Sequence, residues 1–144
     1  MNNNPEVIIV HTEAFEGGAG YDEVNRWHKN NGWSAPITGT PYGYHAHIEK
    51  NGKLVHGRWF YEQGAHTLGM NDKSIGVCFS GHGDYEELTR NQKETFIDFC
   101  RMLFKTQWNL NPAKIHGHND YTDDKTCPGN KISVRVLRAM FGVI

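Results

Sequence analysis

Apolar positions along the chain fall into a few short runs separated by glycine-rich and proline-rich stretches. Val7 to Val10 is a continuous β-branched run, the pattern of a strand buried on both faces. It ends at His11 and is followed by a loop holding Gly17, Gly18 and Gly20. Asp22 is placed to cap a helix running to about Asn31, with Val24, Trp27 and His28 on one face and Gly32 as its terminator. Tyr42 to Lys50 reads as a strand. Asn51-Gly52 signals a type I′ hairpin turn, with Lys53 to His56 returning. Ser74 to Ser80 is the most apolar strand and is expected at the centre of a sheet.

The second half continues the alternation. Thr89 and Gln92 match a capping box, opening a helix to about Trp108 with Phe96, Cys100, Leu103 and Phe104 inward. Lys114 to His116 reads as a short strand. A last amphipathic helix covers about Ile132 to Phe141, anchored by Val136, Leu137 and Met140. Strands alternating with helices predict an α/β fold, a central mixed β-sheet flanked by helices. The 144 residues suit one domain spanning 1–144.

Composition narrows the function classes. Acids and bases nearly cancel at a net charge of -1, so a basic nucleic-acid binder is not expected. No segment approaches the roughly 20 apolar residues that span a bilayer, so no membrane insertion is expected. The N-terminus lacks the basic start and apolar core of a signal peptide, so cytoplasmic synthesis is expected. Three cysteines do not form a disulfide framework. Cys78 and Cys100 read as core thiols, whereas Cys127 follows a polar, histidine-bearing segment.

Nine histidines are many for this length. His11 ends a strand, His118 follows one, and Cys127 lies nine residues beyond His118. Two imidazoles and a thiolate suit tetrahedral zinc with the fourth position open to water, the arrangement of catalytic rather than structural sites. Spacing alone does not single these residues out. His116 rivals His118, being two residues earlier on a strand. His45 and His47 share a strand face, and His28, His56 and His82 read as structural or surface residues.

Several segments together resemble one family, the zinc-dependent N-acetylmuramoyl-L-alanine amidases that include short phage endolysins (phage lysozyme-type) and peptidoglycan recognition proteins. They are Val7-Ile8-Ile9-Val10-His11-Thr12, Arg26 through Trp33, Gly43-Tyr44-His45, Gly64-Ala65-His66 leading into Ser74-Ile75-Gly76-Val77, and Gly117-His118-Asn119-Asp120 through Lys125-Thr126-Cys127-Pro128-Gly129. The resemblance implies the family's fold and Zn2+ held by His11, His118 and Cys127. It implies catalytic roles for Tyr44 and Lys125, and a substrate-binding role for His66. Family members that only recognise peptidoglycan usually lack the thiol, so Cys127 favours an enzyme. The implied activity is hydrolysis of the amide between N-acetylmuramic acid and L-alanine, acting on the cell wall after release or delivery. The alternative is a non-catalytic peptidoglycan-recognition or partner-binding module on the same fold. The loop from His118 to Cys127 is about a residue longer than is usual in the family.

On this reading Lys125 stabilises the oxyanion and Tyr44 positions water, acts as a base or stabilises the oxyanion. Asp120 either orients His118 or stabilises a turn. A substrate groove is expected along residues 33–43 and 57–72, where Trp33, Tyr42, Trp59, Phe60 and Tyr61 concentrate. A monomer is expected.

Overall fold

The computed structural model describes residues 2–142. Its centre is a five-stranded mixed sheet built from β1 (Val7–Thr12), β2 (Ala46–Ile48), β3 (Leu54–His56), β4 (Ser74–Phe79) and β5 (Ile115–Gly117). The spatial order is β3-β2-β4-β1-β5. β4 is therefore central, as its apolar run predicts, and every one of its residues is buried. β1 pairs in parallel with β4 and β5, and β2 in parallel with β4. Only β3 runs antiparallel, which makes the sheet mixed.

Side chains alternate along each strand, so the two sheet faces differ. Ile8, Val10, Ala46, Ile48, Ile75, Val77 and Phe79 form one face. Against it pack Phe96, Phe99, Cys100 and Leu103 of α2 (Arg90–Phe104) and Leu137 of α3 (Val134–Ala139). The opposite face carries Ile9, His11, His45, His47, Gly76 and Cys78, and α1 (Tyr21–Asn30) lies on that side, its His28 ring packed against Tyr42 of the loop before β2. The polar face is thus the one on which a site can form.

Local departures from the expected elements have physical causes. Asp22 lies inside α1, whose N-cap is Gly20 with no side-chain cap; the leading N–H of Tyr21 instead donates to Glu49 at 3.1 Å. Gly32 does end the helix at a φ of 79°. The hairpin forms, but its turn is not type I′, because Gly52 alone has positive φ and Asn51 does not. Glu49 and Gly52 close the turn, and Glu49 also pairs with Lys53, the pattern of a type I turn with a glycine bulge. The Thr89–Gln92 capping box is present, although α2 stops at Phe104. Val136, expected inward, is 56% exposed, since α3 is only six residues long and one turn docks through Leu137.

Candidate functional site

Parallel strands direct their carboxyl ends to one edge of the sheet, where loops of an α/β fold gather. His11 stands near the end of β1, and β5 leads directly into the short helical turn His118–Asp120. The loop that follows returns Cys127 to β1. Thr12 Oγ1 donates to the Pro128 carbonyl at 2.9 Å, and the Asn119 N–H donates to the Cys127 carbonyl at 2.8 Å. Asp84 holds the same loop from the far side, accepting from Thr126 Oγ1 at 2.8 Å and the Asn130 N–H at 2.9 Å.

These constraints bring His11, His118 and Cys127 together, with one ligand atom from each inside a mutual spread of 4.8 Å. Cys127 Sγ is 3.7 Å from His11 Nδ1. Around a tetrahedral zinc with bonds near 2.0–2.3 Å, neighbouring donors stand roughly 3.3–3.6 Å apart, so this set fits such an ion. His116 is outside the group; its Nδ1 lies 3.5 Å from Asp120 Oδ2. Asp120 Oδ2 also accepts from the Gly117 N–H at 3.0 Å, so it closes a turn and does not orient His118.

The electrostatics favour neutral imidazoles and oppose a free thiolate. Burial holds His11 well below the ordinary histidine value, and positive charge on His66, His118 or Lys125 would lower it further. Burial and the nearby Lys125 lower His118, against a smaller opposing effect of Asp124. Neutral imidazole is the form that ligates metal. Burial pushes the Cys127 thiol up to about 11, only partly offset by the Thr12 backbone and Lys125. A cation at this point would supply the missing compensation for a thiolate.

A cavity of about 280 Å³ opens over the three residues and is also lined by Tyr44, His66 and Lys125. The Tyr44 ring lies edge-on to His11 with centroids 4.9 Å apart. Burial keeps its phenol well above the ordinary tyrosine value, with Cys78 and Cys127 adding to the effect. Tyr44 therefore enters as a protonated hydroxyl, able to donate a hydrogen bond. Lys125 is solvent-exposed at the cavity mouth. His66 Nδ1 is 2.9 Å from His11 Nε2.

Other expectations are corrected. Of the aromatic residues assigned to a groove, only Trp33 borders this cavity. Tyr42 is fully buried, and Trp59, Phe60 and Tyr61 line a separate, apolar cavity of about 440 Å³. His28, read as structural, accepts from the Gly43 N–H at 2.8 Å and also borders the site. His45 is fully used inside the protein, accepting from the Gly76 N–H at 3.0 Å and meeting the Glu62 carbonyl at 2.8 Å. Sequence reasoning missed Glu13. Its carboxylate accepts from the N–H groups of Ala19, Gly20 and Gly81 and from Ser80 Oγ, tying the loop beside the cavity to the end of β4. An acidic residue between a strand and a glycine-rich loop was the available signal.

Comparison with known proteins shows the family. Residues 1–130 match the family described as N-acetylmuramoyl-L-alanine amidase. The endolysin of Enterobacteria phage T3 is 37% identical over 127 residues, 85% of this chain and 80% of that protein. The endolysin of Escherichia phage T7 is 36% identical over 132 residues, 89% of this chain and 83% of that protein. Among solved structures, an N-acetylmuramoyl-L-alanine amidase from Clostridium intestinale superposes with a TM-score of 0.84 at 27% identity, covering 99% of this chain and 88% of that one.

Proposed function

The chain belongs to the N-acetylmuramoyl-L-alanine amidase family, and from that premise we propose that it is a zinc enzyme of the phage endolysin type whose metal is held by His11, His118 and Cys127. The activity is hydrolysis of the amide that joins N-acetylmuramic acid to L-alanine in peptidoglycan. The observation that carries the metal assignment is the convergence of two imidazoles and one thiol, far apart in sequence, beneath one open cavity. Three protein donors leave a coordination position for water, which separates a catalytic set from a closed structural one.

Zinc, when bound, supplies Lewis acidity toward the scissile carbonyl and a more acidic water. The chain's own residues do the rest. Tyr44, kept protonated by burial, lines the cavity with a hydroxyl that can donate to the reacting centre once substrate is bound. Lys125, two residues from Cys127 at the cavity mouth, places positive charge where negative charge develops on the carbonyl oxygen. Trp33 and His28 wall the cavity. His66 also lines the cavity, beside His11. We place the activity in one domain, 1–144, acting as a monomer on the cell wall, with peptidoglycan as its substrate.

The test is product identification. Purified peptidoglycan incubated with the protein should release fragments carrying a new L-alanine amino terminus, read by mass spectrometry. Intact sugar–peptide linkages after exhaustive incubation would refute the enzyme and leave a recognition module.

A further inference from the structure

The hydrogen bonds around His66 decide the proton positions of its neighbours. Ser74 Oγ lies 2.7 Å from the Met70 carbonyl, which can only accept, so the Ser74 proton is committed there. Ser74 Oγ is then an acceptor toward His66 Nε2, 3.3 Å away, and that nitrogen carries the imidazole's proton. His66 Nδ1 is left with a lone pair. It faces His11 Nε2 at 2.9 Å and Thr67 Oγ1 at 2.9 Å. His11 Nε2, also 3.3 Å from Thr67 Oγ1, must therefore be the protonated nitrogen of His11. The lone pair of His11 is thereby turned to Nδ1, the atom that faces Cys127 Sγ.

The ring of His66 packs closely against two glycines. A Cβ built on Gly76 would stand 2.6, 2.7 and 2.8 Å from its Cδ2, Nε2 and Cε1 atoms. A Cβ built on Gly64 would stand 2.6 Å from Cδ2 as well. The imidazole thus lies flat against two glycine α-carbons, one of them on the central strand. Thr67 beside it is buried at 2% exposure, and its backbone N–H donates to Asn71 Oδ1 at 2.9 Å.

We infer that His66 is a positioning residue for His11: through the chain Met70 carbonyl, Ser74, His66, it sets which nitrogen of His11 is offered to the metal. The inference rests on the zinc reading above and deepens it. Both nitrogens of His66 are used within the protein, so it serves the metal ligand and offers the substrate only a ring face. Partners of this kind on a ligating histidine typically change metal affinity or activity by about 10–100-fold when removed.

The experiment measures zinc dissociation constants by competition with a chromophoric chelator for the wild type, His66→Ala, His66→Asn and Cys127→Ala. Melting curves of the zinc-free proteins control for folding. Asn can place an acceptor oxygen where Nδ1 stood. His66→Ala should bind zinc about 10–100-fold more weakly, and His66→Asn should recover most of that loss. Wild-type affinity in His66→Ala, with only KM raised, would overturn the inference and make His66 a substrate contact. A wild type without zinc, or a Cys127→Ala variant that binds it equally well, would instead refute the metal set itself. Nitrogen-15 correlation spectra of the zinc-loaded wild type need no variant. They should show His11 protonated at Nε2, and a proton on Nδ1 would overturn the inference.

Discussion

Gly83 and Gly129 lie back to back, so close that a Cβ on Gly129 would stand 2.0 Å from the Gly83 carbonyl carbon and 2.3 Å from its Cα. A Cβ on Gly83 would stand 1.8 Å from the Pro128 carbonyl oxygen. This contact lets the Cys127 loop settle against the loop that follows β4. The Lys131 N–H donates to the Gly83 carbonyl at 2.6 Å across the same junction. Gly83→Ala should destabilise the protein by about 1–3 kcal/mol, as overpacking does, and weaken zinc binding by displacing Cys127. Chemical denaturation and metal titration check both; unchanged values in each would mean the backbones can part without consequence.

The loop before α1 is held by a carboxylate that titrates on the acid side. Glu86 is lowered to about 2, chiefly by its bond with Lys50 and then by the Gly17 N–H. Since its folded value lies below the ordinary one near 4.5, the stabilisation is present above that value and is lost as pH falls toward 2. Stability followed by denaturant titration should therefore decline through this window. Glu86→Gln should be less stable at pH 7 and show a shallower acid decline. An acid limb identical to that of the wild type would remove Glu86 from the account.

Phe96 anchors α2 on the sheet, fully buried with its ring 5.3 Å from that of Phe79. Phe96→Ala should cost about 3–5 kcal/mol, the transfer and cavity terms together. A loss below roughly 1 kcal/mol would show that the interface between α2 and β4 collapses to fill the space.

Much of this was legible beforehand, because burial leaves a strong mark on sequence. β1 and β4 sit between neighbours on both sides and are covered on both faces, so their runs are nearly unbroken. The capping box of α2 is a local device and reads directly. The turn at Asn51 was misread because two turn geometries share that dipeptide, and the choice depends on how Glu49 pairs with Lys53. The expected groove ranges do line an open pocket that shares Trp33 and Ala65 with the site cavity, but most of the expected aromatic residues lie elsewhere. Trp59 and Tyr61 are aromatic and near His66 in sequence, yet the chain turns them toward another surface. The bond between His66 and His11 spans 55 positions and has no sequence signal.

Tyr44 and Lys125 should be separable from the metal. Tyr44→Phe and Lys125→Ala are expected to keep stoichiometric zinc while kcat falls, by up to about 10²–10³-fold where an oxyanion contact is lost. Zinc loss accompanying either change would make that residue structural. Wild-type kcat in both would exclude them from the chemistry.

The most direct measurement is metal content by mass spectrometry set against amidase activity in one chelation and add-back series. One zinc per chain in the wild type, activity that vanishes with the metal and returns in proportion to it, and neither in Cys127→Ala, is the expected result. Full activity from a sample shown to be metal-free would contradict the account.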